Sequence, residues 1–295
     1  MNVKAWIEAM RLRTLPVSVA GVLTAGGCAA YYHSFKWLPF LICLAFAVLA
    51  QIVSNFANEY FDWRNGLDRK GREGFRRGVT EGDISPRAMK LATFILLLLD
   101  CALGCTLVIW GGWWLIAVGV AIALFAIGYS AGPFPLSHHG LGELAVVVFF
   151  GIVPVVFTTY VQVGNWSMLP LTLPLSFAIG FMGANVLIIN NYRDAVDDEN
   201  VGKRTLAVLF GREQMATLYF VNGLVAVLFI ELAVFNRIPY TWQLCSLIYI
   251  NSHYLFWQEL RQARGAELNP LLGKTSFLML SMSVFLLVAL AMNPR

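Results

Sequence analysis

Apolar residues form long, nearly uninterrupted stretches along most of this chain, and polar residues are confined to the segments between them. A helix needs about 20 mostly apolar residues to cross the hydrocarbon core of a membrane. Gly and Pro interrupt some stretches, which membrane helices tolerate. The pattern predicts an all-α, polytopic membrane protein that forms one domain over residues 1–295. Nine stretches are predicted to span, at roughly 15–32, 38–57, 89–109, 112–130, 144–162, 168–190, 214–235, 240–257 and 275–293.

The composition agrees with this pattern. Of 295 residues, 58% are hydrophobic and only 13% are charged, whereas about 25% of the residues in a soluble domain are charged. These values exclude a disordered chain, a collagen, a nucleic-acid-binding arm and a secreted disulfide scaffold. The five cysteines lie in apolar segments without the spacing of a zinc or haem site.

The positive charges are sorted to one side of the predicted bundle. Three Lys or Arg residues precede the first span, eight lie between the second and third, four between the sixth and seventh, and three between the eighth and ninth. These connections share one side and hold 18 of the 21 bases. Because Lys and Arg are enriched in cytoplasmic loops, we expect that side to be cytoplasmic, in an inner membrane.

Two polar loops on that side, about 58–88 and 190–213, hold 11 of the 17 acidic residues. Each begins with the pattern Asn-x-Tyr-x-Asp, at Asn58–Asp62 and again at Asn190–Asp194. Residues four apart share a helix face, and carboxylate and amide oxygens suit Mg²⁺, which also binds substrate phosphates. The repeat predicts a Mg²⁺ site from two facing clusters, with Asn58, Asp62, Asp68, Asn190, Asp194 and Asp198 as its candidate ligands. Asp68 requires the first helix to end near Gly66 and the chain to fold back.

Basic residues accompany both clusters and favour an anionic diphosphate on an apolar tail as the ligand. Solvated loop ends and an Asn that only caps its helix are the alternative interpretations. Asp100, within an apolar span, is either functional or paired structurally. His138 and His139 are interpreted as polar loop residues, with a substrate contact as the alternative. The candidate diphosphate ligands are Arg72, Arg76, Arg77, Arg193 and Lys203.

These motifs resemble the UbiA superfamily of intramembrane aromatic prenyltransferases, and the match is closest to its dihydroxynaphthoate branch. The resemblance covers most of the chain, although Phe75 stands where a proline is expected. It implies helices around a central cavity, capped by the two cytoplasmic loops, with Mg²⁺ as cofactor. The matching segments are Arg11–Pro16, Asn58–Tyr60 with Asp62, Gly66 and Asp68, Arg77–Thr80, Tyr129–Pro133, Pro135 with Leu136, Gly140–Glu143, Asn190 and Asn191 with Arg193, Asp194 and Asp198, Gly202 with Lys203, Thr205–Val208 and Leu268–Gly273.

The resemblance also implies a reaction. A polyprenyl diphosphate would ionise at the Mg²⁺ site, with Asp62 and Asp194 as catalytic residues, and the cation would alkylate 1,4-dihydroxy-2-naphthoate with loss of CO₂. Tyr60, Tyr129 and Tyr192 are candidates for stabilising the cation, or else pack at the interface. Other aromatic acceptors (4-hydroxybenzoate, homogentisate or haem) and a cation-coupled secondary transporter remain as alternatives. The expected partners are the two substrates and the lipid bilayer, without nucleic acid.

Overall fold

The computed structural model describes residues 2–71 and 74–295. Throughout those two ranges the regular elements are helices, as the apolar pattern predicts. Arg72, a predicted diphosphate ligand, lies outside the described residues. The helices are α1 (Val3–Ala9), α2 (Leu15–Tyr31), α3 (Trp37–Arg64), α4 (Gly78–Glu81), α5 (Pro86–Thr106), α6 (Val108–Gly111), α7 (Leu115–Gly128), α8 (Gly142–Val146), α9 (Thr158–Val163), α10 (Leu169–Asn200), α11 (Leu206–Val234), α12 (Leu244–Gln262) and α13 (Leu268–Met292).

Seven helical segments in the described ranges are long and apolar enough to cross a membrane, which makes this a multi-pass membrane protein. The predicted fourth span corresponds to α7, an apolar helix of only 14 residues. The predicted eighth corresponds to α12, which carries polar residues such as Asn251 and His253 along its length and is not among the seven. All nine predicted stretches are therefore helical, while the number that span stays a prediction.

Two helices extend well beyond their predicted ends. The expected ends were residues 57 and 190, but α3 continues to Arg64 and α10 continues to Asn200. Both Asn-x-Tyr-x-Asp patterns consequently lie on helices and not in loops. The end of the apolar run therefore does not mark the end of either helix.

A wide, π-helical segment, Val147–Phe157, joins α8 to α9 and packs closely on α10. Glycine makes this approach possible, since a Cβ at Gly180 would meet the Val147 carbonyl oxygen at 2.8 Å. Pro154 in the same segment lies against Gly21 of α2, where an added Cβ would be 2.6 Å from the proline ring. Small residues commonly allow membrane helices to approach in this way. Here Gly180 and Gly21 allow the wide segment to pack directly against α10 and α2.

Candidate active site at the polar end of the helices

The first acidic motif is buried at the end of α3. Asn58 and Asp62 share a helix face, as predicted, and the Asn58 Nδ2 group donates to Asp62 Oδ2 at 3.2 Å. The same Nδ2 group donates to the Ser130 hydroxyl at 2.9 Å, and Arg11 Nη2 donates to Asn58 Oδ1 at 2.6 Å. Asn58 therefore makes interactions well beyond capping its own helix.

Three basic groups surround Asp62, which is fully buried. Lys203 Nζ donates to its Oδ2 at 2.9 Å, and Arg77 Nη2 lies 3.9 Å from the same oxygen. His138 Nε2 is 3.7 Å from Oδ1, which has no hydrogen-bond partner among the described residues. A buried carboxylate requires such compensation. The interpretation of His138 as a polar loop residue is wrong, because its ring belongs to this cluster.

Asp68 joins the cluster through a reversal of the chain. The helix ends at Arg64, Gly66 adopts a φ of +70°, and the Leu67 amide donates to the Asp62 carbonyl. Glycine adopts positive φ without the steric cost of a Cβ, so this turn explains the fold-back that the spacing requires. Asp68 Oδ2 lies 3.3 Å from Arg77 Nε, and Arg77 thus bridges the two aspartates.

The second motif is organised by Arg193 on α10. Its Nε and Nη2 groups donate to the two oxygens of Asp194 at 2.7 and 2.9 Å. The same guanidinium donates to Asn190 Oδ1 and to Asn269 Oδ1, each at 2.7 Å. Asp198 is buried one turn further along α10. A buried, bidentate arginine holds these oxygen atoms in a fixed arrangement.

The two polar segments meet over the site. Lys203, after the second motif, pairs with Asp62 in the first, and Arg69 pairs with Asp197. A Cβ on Gly74 would lie 2.9 Å from Arg193 Nη2, so the first segment crosses directly over the second motif. The next residue, Phe75, lies with its ring centroid 5.5 Å from the Arg193 guanidinium and 5.8 Å from that of Arg11.

Below Phe75 a pocket leads from the acidic end into the interior. Its wall includes Arg11, Tyr129 and Asn190. The pocket shares further residues with an apolar chamber between α3, α7 and the wide segment, and that chamber adjoins a side cavity that reaches Asp100 on α5. The residues shared by the pocket and the chamber are Gln51, Ser54, Phe125 and Phe150, and those shared by the chamber and the side cavity are Phe46, Gly104, Leu115 and Gly119.

The three candidate tyrosines have different surroundings. Tyr129 lines the pocket. Tyr60 instead packs on the cluster formed by α1 and α4, beside Phe61 and Trp63. Tyr192 is buried elsewhere, with Arg212 over its ring at 5.5 Å. The structure thus brings only Tyr129 to the pocket.

Arg76 also lies apart from the acidic cluster. It is half exposed and pairs with Asp83 at 2.5 Å and with Glu8 at 3.8 Å. It lines a surface groove together with Arg11 and Phe75. The positive charge of Arg76 therefore lies at the surface groove outside the pocket, away from the aspartates of the two motifs.

Several residues of the site were not predicted as ligands. Arg11 and Ser130 lie within segments that carried the family resemblance, and that was the available signal. Asn269 lies in another such segment, near the end of the chain. Each comes from a part of the sequence remote from both acidic motifs, so spacing alone could not assign it.

The donor set suits Mg²⁺ shared with a phosphate ligand. In the part of the chain that the structure describes, no three His, Cys, Asp or Glu side chains are close enough to hold a metal ion by themselves. Carboxylate and amide oxygens are nevertheless gathered, and Asp62 Oδ1 has no hydrogen bond there. Mg²⁺ usually binds one or two carboxylates and completes its shell with water and substrate phosphates, so the residues fit such a site.

Comparison with known proteins agrees with this arrangement. The UbiA prenyltransferase family model matches residues 18–292. The chain is 35% identical to the 1,4-dihydroxy-2-naphthoate octaprenyltransferase of Mycobacterium tuberculosis, over 97% of this chain and 96% of that protein. It is 36% identical to the enzyme of the same name from Escherichia coli, over 70% of this chain and 69% of the other.

Solved structures of low sequence identity share the fold. A UbiA homolog from Archaeoglobus fulgidus, bound to DMAPP and Mg²⁺, superposes with a TM-score of 0.69 at 14% identity, covering 97% of this chain and 99% of the homolog. The apo UbiA homolog from Aeropyrum pernix K1 also gives 0.69, at 13% identity, with coverage of 94% and 97%. Sequence, fold and family match all lead to one conclusion: the chain belongs to the UbiA prenyltransferase family.

Proposed function

We propose that the protein transfers a polyprenyl group from polyprenyl diphosphate to 1,4-dihydroxy-2-naphthoate, releasing pyrophosphate and CO₂ and giving demethylmenaquinone after oxidation. The observation that carries this proposal is a pocket lined by Arg11 and Asn190, which contact the two buried motifs, that shares wall residues with an apolar chamber. A charged head and a greasy tail match those two environments. The relatives named for dihydroxynaphthoate support the choice of acceptor.

The diphosphate would bind between the two motifs. Asn58, Asp62 and Asp68 on one side and Asn190, Asp194 and Asp198 on the other are the proposed Mg²⁺ ligands. When bound, Mg²⁺ would supply positive charge that neutralises the leaving diphosphate. Lys203, Arg77 and Arg193 now hold carboxylates, and they would turn their donors toward the phosphate oxygens as these arrive.

The tail would occupy the apolar chamber. Its aromatic wall includes Phe125 and Phe149, whose rings stack 3.7 Å apart, and Phe150. Such a wall excludes water and offers aromatic faces to an allylic cation. Tyr129, at the junction with the polar pocket, is the tyrosine that we assign to the reacting carbon.

The acceptor ring would enter between Phe75 and Tyr129. Arg11 lines both the outer groove and the inner pocket, and Arg13 and Arg76 also line the groove. Their charges suit an aromatic carboxylate that approaches from the aqueous side. We place that side in the cytoplasm and the protein in the inner membrane, on the distribution of Lys and Arg.

An acceptor assay tests the proposal. Membranes with the protein receive labelled polyprenyl diphosphate, Mg²⁺ and one acceptor at a time: dihydroxynaphthoate, 4-hydroxybenzoate, homogentisate or haem. Transfer to dihydroxynaphthoate, with pyrophosphate release and no ion flux, is expected. Transfer to 4-hydroxybenzoate without transfer to dihydroxynaphthoate would reject the proposed acceptor.

A further inference from the structure

Another buried carboxylate lies near the pocket and is not among the proposed Mg²⁺ ligands. Glu143, at the start of α8, is only 6% exposed. Its Oε1 accepts from Asn191 Nδ2 at 2.9 Å, whereas its Oε2 is buried with no hydrogen-bond partner in the described part of the chain. Leaving a buried carboxylate oxygen without a partner is costly, so such an atom calls for an explanation.

The residues on either side of Glu143 contact or form the wall of the pocket. A Cβ added to the preceding residue, Gly142, would meet the Tyr129 hydroxyl at 3.3 Å and Leu187 at 3.1 Å. Val146, one helical turn after Glu143 and on its face of the helix, lines the pocket together with Tyr129 and Leu187. Glu143 is therefore held next to the region where the acceptor ring would lie.

The chemistry of this group suits a hydroxyl and not a carboxylate. An anionic Glu143 would repel the carboxylate of the acceptor, but its Oε2 can accept a hydrogen bond from a ring hydroxyl. We propose that Glu143 is the general base that takes the proton of an acceptor hydroxyl during prenyl transfer. This inference rests on the proposed function, because it requires a hydroxylated aromatic acceptor.

The proton and electron movements balance. As the ring carbon that carries the carboxylate bonds to the allylic carbon, the allylic C–O bond breaks and its electron pair leaves with the diphosphate. The hydroxyl proton passes to Glu143, and the ring oxygen becomes a carbonyl. When the carboxylate departs as CO₂, its C–C electron pair returns to the ring, and the oxygen takes the proton back from Glu143. The base is regenerated, and neither oxidant nor reductant is consumed.

Glu143→Gln tests the assignment, since glutamine keeps the shape and can still accept from Asn191 but is not a base. Loss of general-base assistance lowers rates by about 10²- to 10⁴-fold. We expect a loss of that size in kcat for prenyl transfer, with the Kd for polyprenyl diphosphate and Mg²⁺ unchanged. Glu143→Asp, which keeps a carboxylate, should recover part of the rate. Glu231→Gln is the matched control, because its carboxylate also has a side-chain partner, Ser246, but lies near the far end of α11.

A series of acceptors separates a base from a structural role. With ring substituents that make the hydroxyl more acidic, the defect of Glu143→Gln should shrink, because the proton leaves more readily. An unchanged rate in Glu143→Gln, or a defect equal for all acceptors, would overturn the inference. If the wild-type protein prenylates another hydroxylated acceptor, the proposed function fails while the same comparison on that acceptor still decides the role of Glu143. A wild-type protein that prenylates no aromatic acceptor overturns both.

Discussion

Lys203 Nζ donates to Asp62 Oδ2 at 2.9 Å, and this contact joins residues that are 141 positions apart in the chain. Both side chains are at most 8% exposed. The bond links the segment after the second motif to the first motif, so the two polar segments close over the pocket. In the absence of substrate, the Lys203 ammonium therefore neutralises the Asp62 carboxylate of the first motif. The same ammonium is already in position to bind a phosphate group.

Replacing Lys203 by Met should weaken the binding of polyprenyl diphosphate and slow transfer. Removing one donor aimed at developing charge costs about 10²- to 10³-fold in rate. Steady-state kinetics with varied diphosphate would measure both effects. Lys274→Met is the matched control, since Lys274 pairs with Glu259 at the surface. Equal kinetics for the two variants would contradict a role for Lys203 in diphosphate binding.

Asp62→Ala and Asp194→Ala should each abolish Mg²⁺-dependent transfer, because each removes a proposed ligand from one of the two motifs. Asp62→Ala also leaves Lys203 buried beside a missing partner, which costs about 3–5 kcal/mol of stability. Thermal unfolding and size-exclusion chromatography would establish that the protein remains folded. Glu199→Ala, an exposed acid on the same helix as Asp194, should retain activity. Retained activity in either aspartate variant would reject the metal assignment.

Mg²⁺ and pyrophosphate should bind together. Since the described acids form no three-ligand cage, we expect Mg²⁺ alone or pyrophosphate alone to raise Tm little and the pair to raise it clearly. Chelation by EDTA should stop transfer, and added Mg²⁺ should restore it. A full Tm shift with micromolar Mg²⁺ alone would instead indicate a site made by the protein.

Gly119→Trp should select for short isoprenoids. A Cβ at Gly119 meets nothing within 4 Å, and the residue lines both the apolar chamber and the side cavity. The indole would fill the space proposed for the distal tail, so transfer from long polyprenyl diphosphates should fall while transfer from geranyl diphosphate is retained. Ile248→Trp, on an exposed face of α12, is the control. An equal loss with both chain lengths would contradict this path for the tail.

Membrane orientation can be tested with single cysteines in a cysteine-free background. Glu199→Cys is at the polar end of α10, and Asn165→Cys is at its other end, before the helix begins. In inverted membrane vesicles an impermeant thiol reagent should label Glu199→Cys and leave Asn165→Cys unmodified. In intact spheroplasts the result should reverse. The opposite pattern would place the site outside the cytoplasm.

The acid motifs were predictable because helical spacing places Asn58 beside Asp62, and Asn190 beside Asp194, whatever surrounds them. The turn at Gly66 was also predictable from local sequence, because Asp68 can reach the site only if the helix ends near this glycine and the chain folds back. Apolar runs failed to locate the ends of α3 and α10, because polar residues continue a helix when neighbouring segments bury and pair them. Tyr60 and Tyr192 occupy the same position in the repeated pattern, yet both pack away from the pocket. No local sequence pattern distinguishes these two tyrosines from Tyr129, which lines it.

The sequence by itself determined that this is a helical membrane protein and that two acidic motifs lie at the end of the bundle richest in basic residues. Hydropathy and helical periodicity are local properties, and they fix both results. Only the tertiary structure decided which basic group contacts which polar side chain of the motifs: Lys203 and His138 contact Asp62, Arg193 contacts Asp194, and Arg11 contacts Asn58. Arg193 is next to Asp194 in the chain, but the other partners come from distant segments, because packing of α2, α3, α10 and α13 brings the polar ends of the helices together.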